Sequence, residues 1–315
     1  MIYIQDLREG ERISQVYLCK TKVTGTTKAG KSYYSLKLQD KTGSVDGKIW
    51  DLSNSIEHFE ALDYVRIEAD VQNYNGSVQL NIRRLRRADP GEYDQKDYMP
   101  VSQFGQEEMF AELKRYIDKV QDPYLSKLLH LFFDDEEFVK NWKAHSAAKS
   151  VHHSFMGGLL QHTLRVTQLC YFLSLQYPVI NRDLLLTAAI FHDVGKTREL
   201  SSFPENDYTD EGQLLGHIVM GYEMLKEKIN TIDGFPKKLE TELLHCILAH
   251  HGELEYGSPK MPALIEAAAL SKADDTDAKL DIFVEEFEKT TSTDFLGVNK
   301  FLGSNIRKTS RSTEA

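Results

Sequence analysis

Six residues of the kinds that bind divalent metals interrupt apolar helical stretches in the second half of the chain. They are His162 in GGLLQHTLRV, the pair His192–Asp193 in AAIFHDVGK, His217 in LLGHIVMG, His250 in ILAHHGE and Asp274 in LSKADDTDA. An imidazole or carboxylate set into an apolar pattern points inward, and a buried polar group needs a partner. One such histidine is ordinarily a hydrogen-bonded core residue. Six in one helical region have a simpler common explanation, a metal centre that satisfies them together. The donors are nitrogen and oxygen without thiolate, which suits manganese, iron, cobalt or nickel better than a structural zinc site. His251 is the alternative to His250, unless it merely ends its helix before Gly252. Lys196 lies three positions past Asp193. It is either a solvated lysine favoured by a helix C-terminus or a cation within reach of a phosphate oxygen. His245 reads as helix surface, and Asp275 and Asp277 as solvent-facing, with Asp275 the one able to support a ligand.

The elements that must position these residues are helical. From Gln106 onward the apolar spacing is three to four, as at Leu113, Tyr116, Ile117 and Val120, and EFVKNWKAHSAAK continues it. Helices are expected near 155–177, 182–194, 213–229, 237–250 and 262–280. Residues 1–90 follow a different rule. Tyr34, Leu36 and Leu38 alternate, as do Val65, Ile67, Ala69 and Val71, and Asn75-Gly76 turns the chain so that Val78, Leu80 and Ile82 return on the inner face. LSNSIEHFEAL, between the third and fourth strands, is long enough for one short helix. Five strands with that insertion match an OB-fold barrel. The expected organisation is two-domain: an N-terminal all-β OB-fold barrel over 1–90, a Pro/Gly-containing linker over 91–105, an all-α domain over 106–302, and a polar, disordered tail over 303–315.

Charge divides along the same line. Residues 1–90 carry 14 Lys and Arg against 12 Asp and Glu; the other 225 residues carry 24 against 36. A polyanion is therefore better received by the first part, and metal ions by the second. Candidate base-stacking residues are Tyr33, Tyr34, Trp50 and Tyr74, of which Trp50 is expected to lean on the barrel. Candidate phosphate contacts are Lys28, Lys31, Arg83, Arg84, Arg86 and Arg87. Three scattered cysteines, Cys19, Cys170 and Cys246, suggest no disulfide framework. No run approaches the roughly 18 apolar residues of a membrane span. The opening MIYIQDLREGER lacks a signal-peptide core, so a cytoplasmic protein without a membrane partner is expected.

The order His162, His192–Asp193, Asp274 resembles the H…HD…D signature of the HD superfamily of metal-dependent phosphohydrolases, and the histidines between resemble its two-metal branch. That resemblance implies one ion on His162, His192, Asp193 and Asp274. It implies a second on Asp193, His217 and His250, with Mn²⁺ favoured for both. HDVGK matches a common form of the motif and implies that Lys196 meets phosphate. Two such ions lower the pKa of a water and oppose the charge of a phosphoryl transition state.

A barrel, a linker and an HD domain, with the tracts AAKSVHHSFMGGLLQHTLRV, AAIFHDVGKTREL and DEGQLLGHIVMGYEML, resemble the YhaM family of bacterial 3′–5′ exoribonucleases. The resemblance implies Mn²⁺-dependent hydrolysis of single-stranded RNA, and of single-stranded DNA as a second substrate, to nucleoside 5′-monophosphates by a homo-oligomer. His152 and His153, in VHHS, would then line the substrate entrance. Two other readings stand beside it: a phosphatase or phosphodiesterase for free nucleotides, and a nucleic-acid-binding factor with a structural metal site.

Overall fold

The computed structural model describes residues 2–52, 55–74, 76–99, 104–148, 155–288, 290 and 292–310. The chain divides into two units, Met1–Val101 with Phe203–Glu205, and Ser102–Ser202 with Asn206–Ala315.

The first unit is an OB-fold barrel of β1 (Arg12–Thr26), β2 (Ser32–Asp40), β3 (Gly43–Ile49), β4 (Tyr64–Tyr74) and β5 (Ser77–Arg87). β1 pairs with both β2 and β4, and β3 pairs in parallel with β5, which closes the order β1-β2-β3-β5-β4. The alternating residues Val65, Ile67, Ala69 and Val71 are buried with Leu36, Leu38, Leu80 and Ile82, as a half-buried strand requires. A register shift between Glu68 and Ala69 lets the long β4–β5 ribbon curl. Val78, expected inside, is exposed, because it lies one residue into β5 beside the hairpin turn.

The segment between β3 and β4 forms no helix among its described residues. Ile56 instead bridges Leu85 in parallel, and Phe59 buries its ring edge-on to Tyr34. The barrel's need for an apolar plug outweighs the segment's helix propensity. Residues 91–99 also differ from a bare linker. Tyr93 stacks on Tyr64 at 3.9 Å, Tyr98 and Met99 are buried, and Gln39 donates to the Tyr98 carbonyl. Aromatics there lengthen the barrel's core past the proline and glycine.

The second unit is helical: α1 (Gln106–Ile117), α2 (Pro123–Phe133), α3 (Glu136–Ala144), α4 (Gly158–Gln176), α5 (Arg182–Phe191), α6 (Lys196–Glu199), α7 (Asp210–Ile229), α8 (Lys237–Leu248) and α9 (Ile265–Glu288). Sequence reading did not mark α2. PYLSKLLHLFF nevertheless buries Leu125, Leu128, Leu129, Phe132 and Phe133 on one face and exposes Lys127 and His130 on the other, and Asp122 caps it by accepting from Tyr124 and Leu125. α5 is buried along Leu184–Phe191, and α4, α8 and α9 pack around it.

After α9, β6 (Val298–Asn299) pairs with β7 (Ser304–Asn305), and Ile306 is buried with its N–H on the Gly297 carbonyl. The polar stretch from Gly303, expected to be disordered, is thus folded as far as its one isoleucine. No helix among the described residues is long and apolar enough to cross a membrane.

Candidate metal centre

Asp193 follows the buried end of α5 and is itself 2% exposed. The HDVGK turn places it there by passing close under α7. Gly195 is needed for that passage, because a Cβ at this position would fall on the His217 carbonyl. Asp193 Oδ2 lies 3.4 Å from both His162 Nε2, on α4, and His192 Nε2. Asp274 Oδ1, from α9, is 3.1 Å from the same His162 nitrogen and 3.9 Å from that of His192. The other oxygen, Asp193 Oδ1, faces His217 Nε2 at 3.4 Å and His250 Nε2 at 3.8 Å. One carboxylate therefore divides its two oxygens between two clusters of imidazoles.

Every imidazole in these clusters is held by its other nitrogen. His192 Nδ1 donates to the Ala189 carbonyl, His250 Nδ1 to Ile247, and His251 Nδ1 to Tyr256, at 2.7–2.8 Å. His162 Nδ1 donates to Asp277 at 2.7 Å and His217 Nδ1 to Glu199 at 3.0 Å. A carbonyl or carboxylate oxygen can only accept, which fixes the proton on Nδ1 and turns each Nε2 inward. Metal-binding imidazoles are held in this way.

Glu199 does two things with one oxygen. Gly216 adopts φ 75° and breaks α7, so the His217 N–H loses its helical partner; Glu199 Oε1 accepts from that N–H at 2.9 Å as well as from the ring.

These atoms fit divalent cations. Asp193 Oδ1, His217 Nε2 and His250 Nε2 are buried with no hydrogen-bond partner, all on the same side of Asp193. Left so, they carry the full cost of desolvation. Lys196 meets the other oxygen, donating to Asp193 Oδ2 at 2.6 Å from a largely buried position. Burial alone would raise the Asp193 carboxyl, but Lys196 and then His192 hold it well below the usual range. Burial, joined by His251 and His192, holds His250 well below the ordinary histidine value, neutral and ready to ligate. Burial also acts against a charged His162, but Asp274 and Asp277 prevail and push it up to about 10, where a proton occupies the place a cation would take.

Among the described residues, the groups of three that could hold an ion are His162, His192 and Asp193 on one side and His217, His250 and His251 on the other. An HD domain matches residues 159–279. The 3′–5′ exoribonuclease YhaM of Listeria welshimeri is 33% identical over 292 residues, covering 92% of each chain. Those of Listeria innocua and a Geobacillus species are 34% identical, covering 92% of each chain and 91% and 88% respectively. This chain belongs to the YhaM exoribonuclease family. The OB domain of Ta0387 from Thermoplasma acidophilum is 20% identical, covering 30% of this chain and 94% of that one, with a TM-score of 0.24.

Within this YhaM-family chain the sequence singled out residues that the structure treats differently. His250 and His251 converge on His217 together, with ring centroids 4.3 Å apart, rather than one replacing the other. Asp277, expected in solvent, is buried against His162, while Asp275 faces outward and pairs with Lys279. Asp277 lies three residues after Asp274, on the same face of α9; that spacing was the available signal. Glu199 carried no signal, because its partner is 18 residues away across a helix break. His245 accepts from the Ala263 N–H rather than lying free. His152 and His153 lie outside the described residues.

On the barrel, Arg86 grips Glu92 with both terminal guanidinium nitrogens at 2.7 Å, and Arg66 holds the same carboxylate. Arg84 faces Glu68 at 3.6 Å, and Arg83 and Arg87 pair with Asp70 and Asp63. Tyr34 packs on Phe59 beneath the Lys22 ammonium. Trp50, expected against the barrel, is 45% exposed and sits 4.8 Å from Tyr33, with Lys48 over the Tyr33 ring. Lys28 and Lys31 are exposed in the β1–β2 loop, with Lys31 3.8 Å from Asp51, and Tyr74 is exposed at the end of β4.

Proposed function

We propose that the chain is a metal-dependent 3′–5′ exonuclease of single-stranded RNA, with single-stranded DNA as a second substrate, that releases nucleoside 5′-monophosphates in the cytoplasm. The observation that carries this reading is the split of the Asp193 carboxylate between two sets of inward-facing Nε2 atoms. Membership of the YhaM family supplies the substrate class and the direction.

His162, His192, Asp274 and Asp193 Oδ2 would hold one ion, and Asp193 Oδ1, His217, His250 and His251 the other. Two Mn²⁺ ions there would supply hydroxide at neutral pH and positive charge beside the phosphoryl oxygens. Asp277 and Glu199 keep two of the imidazoles turned inward. Lys196 brings a permanent positive charge to the same carboxylate and can meet a non-bridging oxygen of the scissile phosphate. On the barrel, Tyr33 and Trp50 offer a stacking surface flanked by Lys28, Lys31 and Lys48. Arg86, spent on Glu92, is no longer a phosphate contact in this scheme.

The test is a 5′-labelled single-stranded RNA incubated with Mn²⁺. The expected outcome is a descending ladder with mononucleotide products. Intact RNA alongside rapid turnover of a mononucleotide ester would replace this reading with a free-nucleotide phosphohydrolase.

A further inference from the structure

We infer that Tyr256 is the platform on which the base of the 3′-terminal nucleotide stacks while its phosphodiester lies between the ions; the inference rests on the exonuclease reading above.

The metal centre has a closed side and an open side. His162, His192, Asp193 and His250 are fully buried, whereas His217, Asp274 and His251 keep some exposure. Substrate therefore enters past His217, His251 and Asp274. Tyr256 stands on that rim, because its backbone carbonyl is the acceptor that pins His251 Nδ1 at 2.7 Å.

The turn Leu254–Tyr256 fixes the ring's origin. Tyr256 N–H donates to Glu253, Gly257 N–H to Leu254, and Gly257 closes the turn at φ 88°. Across from it on α9, Lys279 donates to Asp275, the neighbour of Asp274, at 2.9 Å, and that bond first, with the Tyr256 phenol adding to it, holds the ammonium above the ordinary lysine value.

The ring is 64% exposed, with Leu254 and Met261 exposed in the same loop. No other ring among the described residues stacks on it. An open aromatic at the edge of a phosphoester-cleaving centre matches what a terminal nucleobase requires. Stacking is indifferent to base identity, as an exonuclease that must accept every terminal nucleotide needs.

The clasp on His251 comes from the backbone, so Tyr256→Ala removes the ring and leaves the clasp. Steady-state digestion of a short single-stranded RNA with Mn²⁺ should show a KM raised ~10- to 100-fold by Tyr256→Ala. The kcat should be nearly unchanged, and Tyr256→Trp should restore KM. Mn²⁺ binding followed by calorimetry should match that of the unaltered protein.

The same RNA ending in an abasic nucleotide should be a poor substrate for the unaltered protein and no poorer for Tyr256→Ala. This comparison holds even if the alanine variant folds badly, because Tyr256→Phe and Tyr256→Trp can be run against both RNAs. An unchanged KM for Tyr256→Ala, or an equal loss on the abasic RNA, would overturn the assignment while leaving the exonuclease intact. RNA left whole by the unaltered protein would sink the exonuclease reading itself, and Tyr256 with it.

Discussion

The two units handle charge in opposite ways. On the barrel, apart from Asp40, which is buried and accepts from Ile4 and Thr42, acids and bases lie towards the surface and many cancel in pairs: Arg86 with Glu92, Arg83 and Arg12 with Asp70, Arg87 with Asp63, Lys37 with Asp46. In the helical unit the chemistry-bearing groups lie inside and cancel only in part: Arg165 faces Asp277 at 3.6 Å, but Asp193 Oδ1, His217 Nε2 and His250 Nε2 have no hydrogen-bond partner. Asp193, Asp274, Asp277 and Glu199 come together around five imidazoles, and Lys196 is the cation that meets Asp193. Surface pairs of the first kind are worth little and rearrange readily. A buried excess of donor atoms of the second kind is tolerated only where a cation completes it. The barrel's charge is a surface that a ligand must compete for; the helical unit's charge is a socket.

The largest effect should come from emptying the socket. Asp193→Ala removes oxygens from both clusters at once, so RNA hydrolysis should fall by roughly 10³-fold or more. Elemental analysis should then show both ions weakened rather than one. An ion content unchanged by this substitution would mean that the carboxylate does not join the two clusters. Binding of single-stranded RNA should survive, because the barrel is untouched.

A smaller loss should follow when the supports are changed and the donors kept. Glu199→Gln and Asp277→Asn should each lower metal affinity ~10- to 100-fold. Glu199→Gln should act on the ion at His217, and Asp277→Asn on the ion at His162, so the two should leave different single ions in place. pH sharpens the point. His162 is raised to about 10 when no cation is present, so ion binding must expel its proton near neutrality. Affinity for that ion should therefore climb about tenfold per pH unit below that value, read as proton release in buffers of different ionisation heat. The ion-free protein should show the reverse in stability. A raised folded-state pKa contributes fully below the ordinary histidine range and is lost as pH rises towards 10.

This difference between the units also explains what the sequence could reveal. An inward imidazole breaks an apolar pattern, so His162, His192, His217 and His250 stand out in the chain itself, as does the alternation of Val65, Ile67, Ala69 and Val71. Partners brought together over distance leave no such mark. Glu199 sits in a short charged run, KTRE, and its burial depends on the break at Gly216, which local pattern does not announce. Asp277 stood among neighbouring acids, and only its three-residue spacing from Asp274 on α9 marked it. The barrel was least legible for the same physical reason that its charges are weak: which arginine is free depends on which acid lies opposite in the folded sheet. Arg86, expected to be open to phosphate, is paired with Glu92, and Trp50, expected to lean on the barrel, is exposed: each is the reverse of the expectation.

That reversal gives the smallest and most discriminating prediction. If the barrel's paired charges are structural and its exposed aromatics are functional, Trp50→Ala should weaken binding of single-stranded RNA by about 5- to 100-fold, the loss of one stacked base. Arg86→Ala should leave that affinity nearly unchanged and instead loosen the hold on Glu92, lowering the melting temperature slightly. Salt distinguishes the two further. Each phosphate that is no longer neutralised should flatten the dependence of log affinity on log salt by about 0.7 for a single strand. Lys31→Ala should flatten the slope, whereas Trp50→Ala should shift the line down and keep its slope. If Arg86→Ala flattens the slope as Lys31→Ala does, the Glu92 pair opens when RNA arrives, and the barrel's charges belong to the ligand after all.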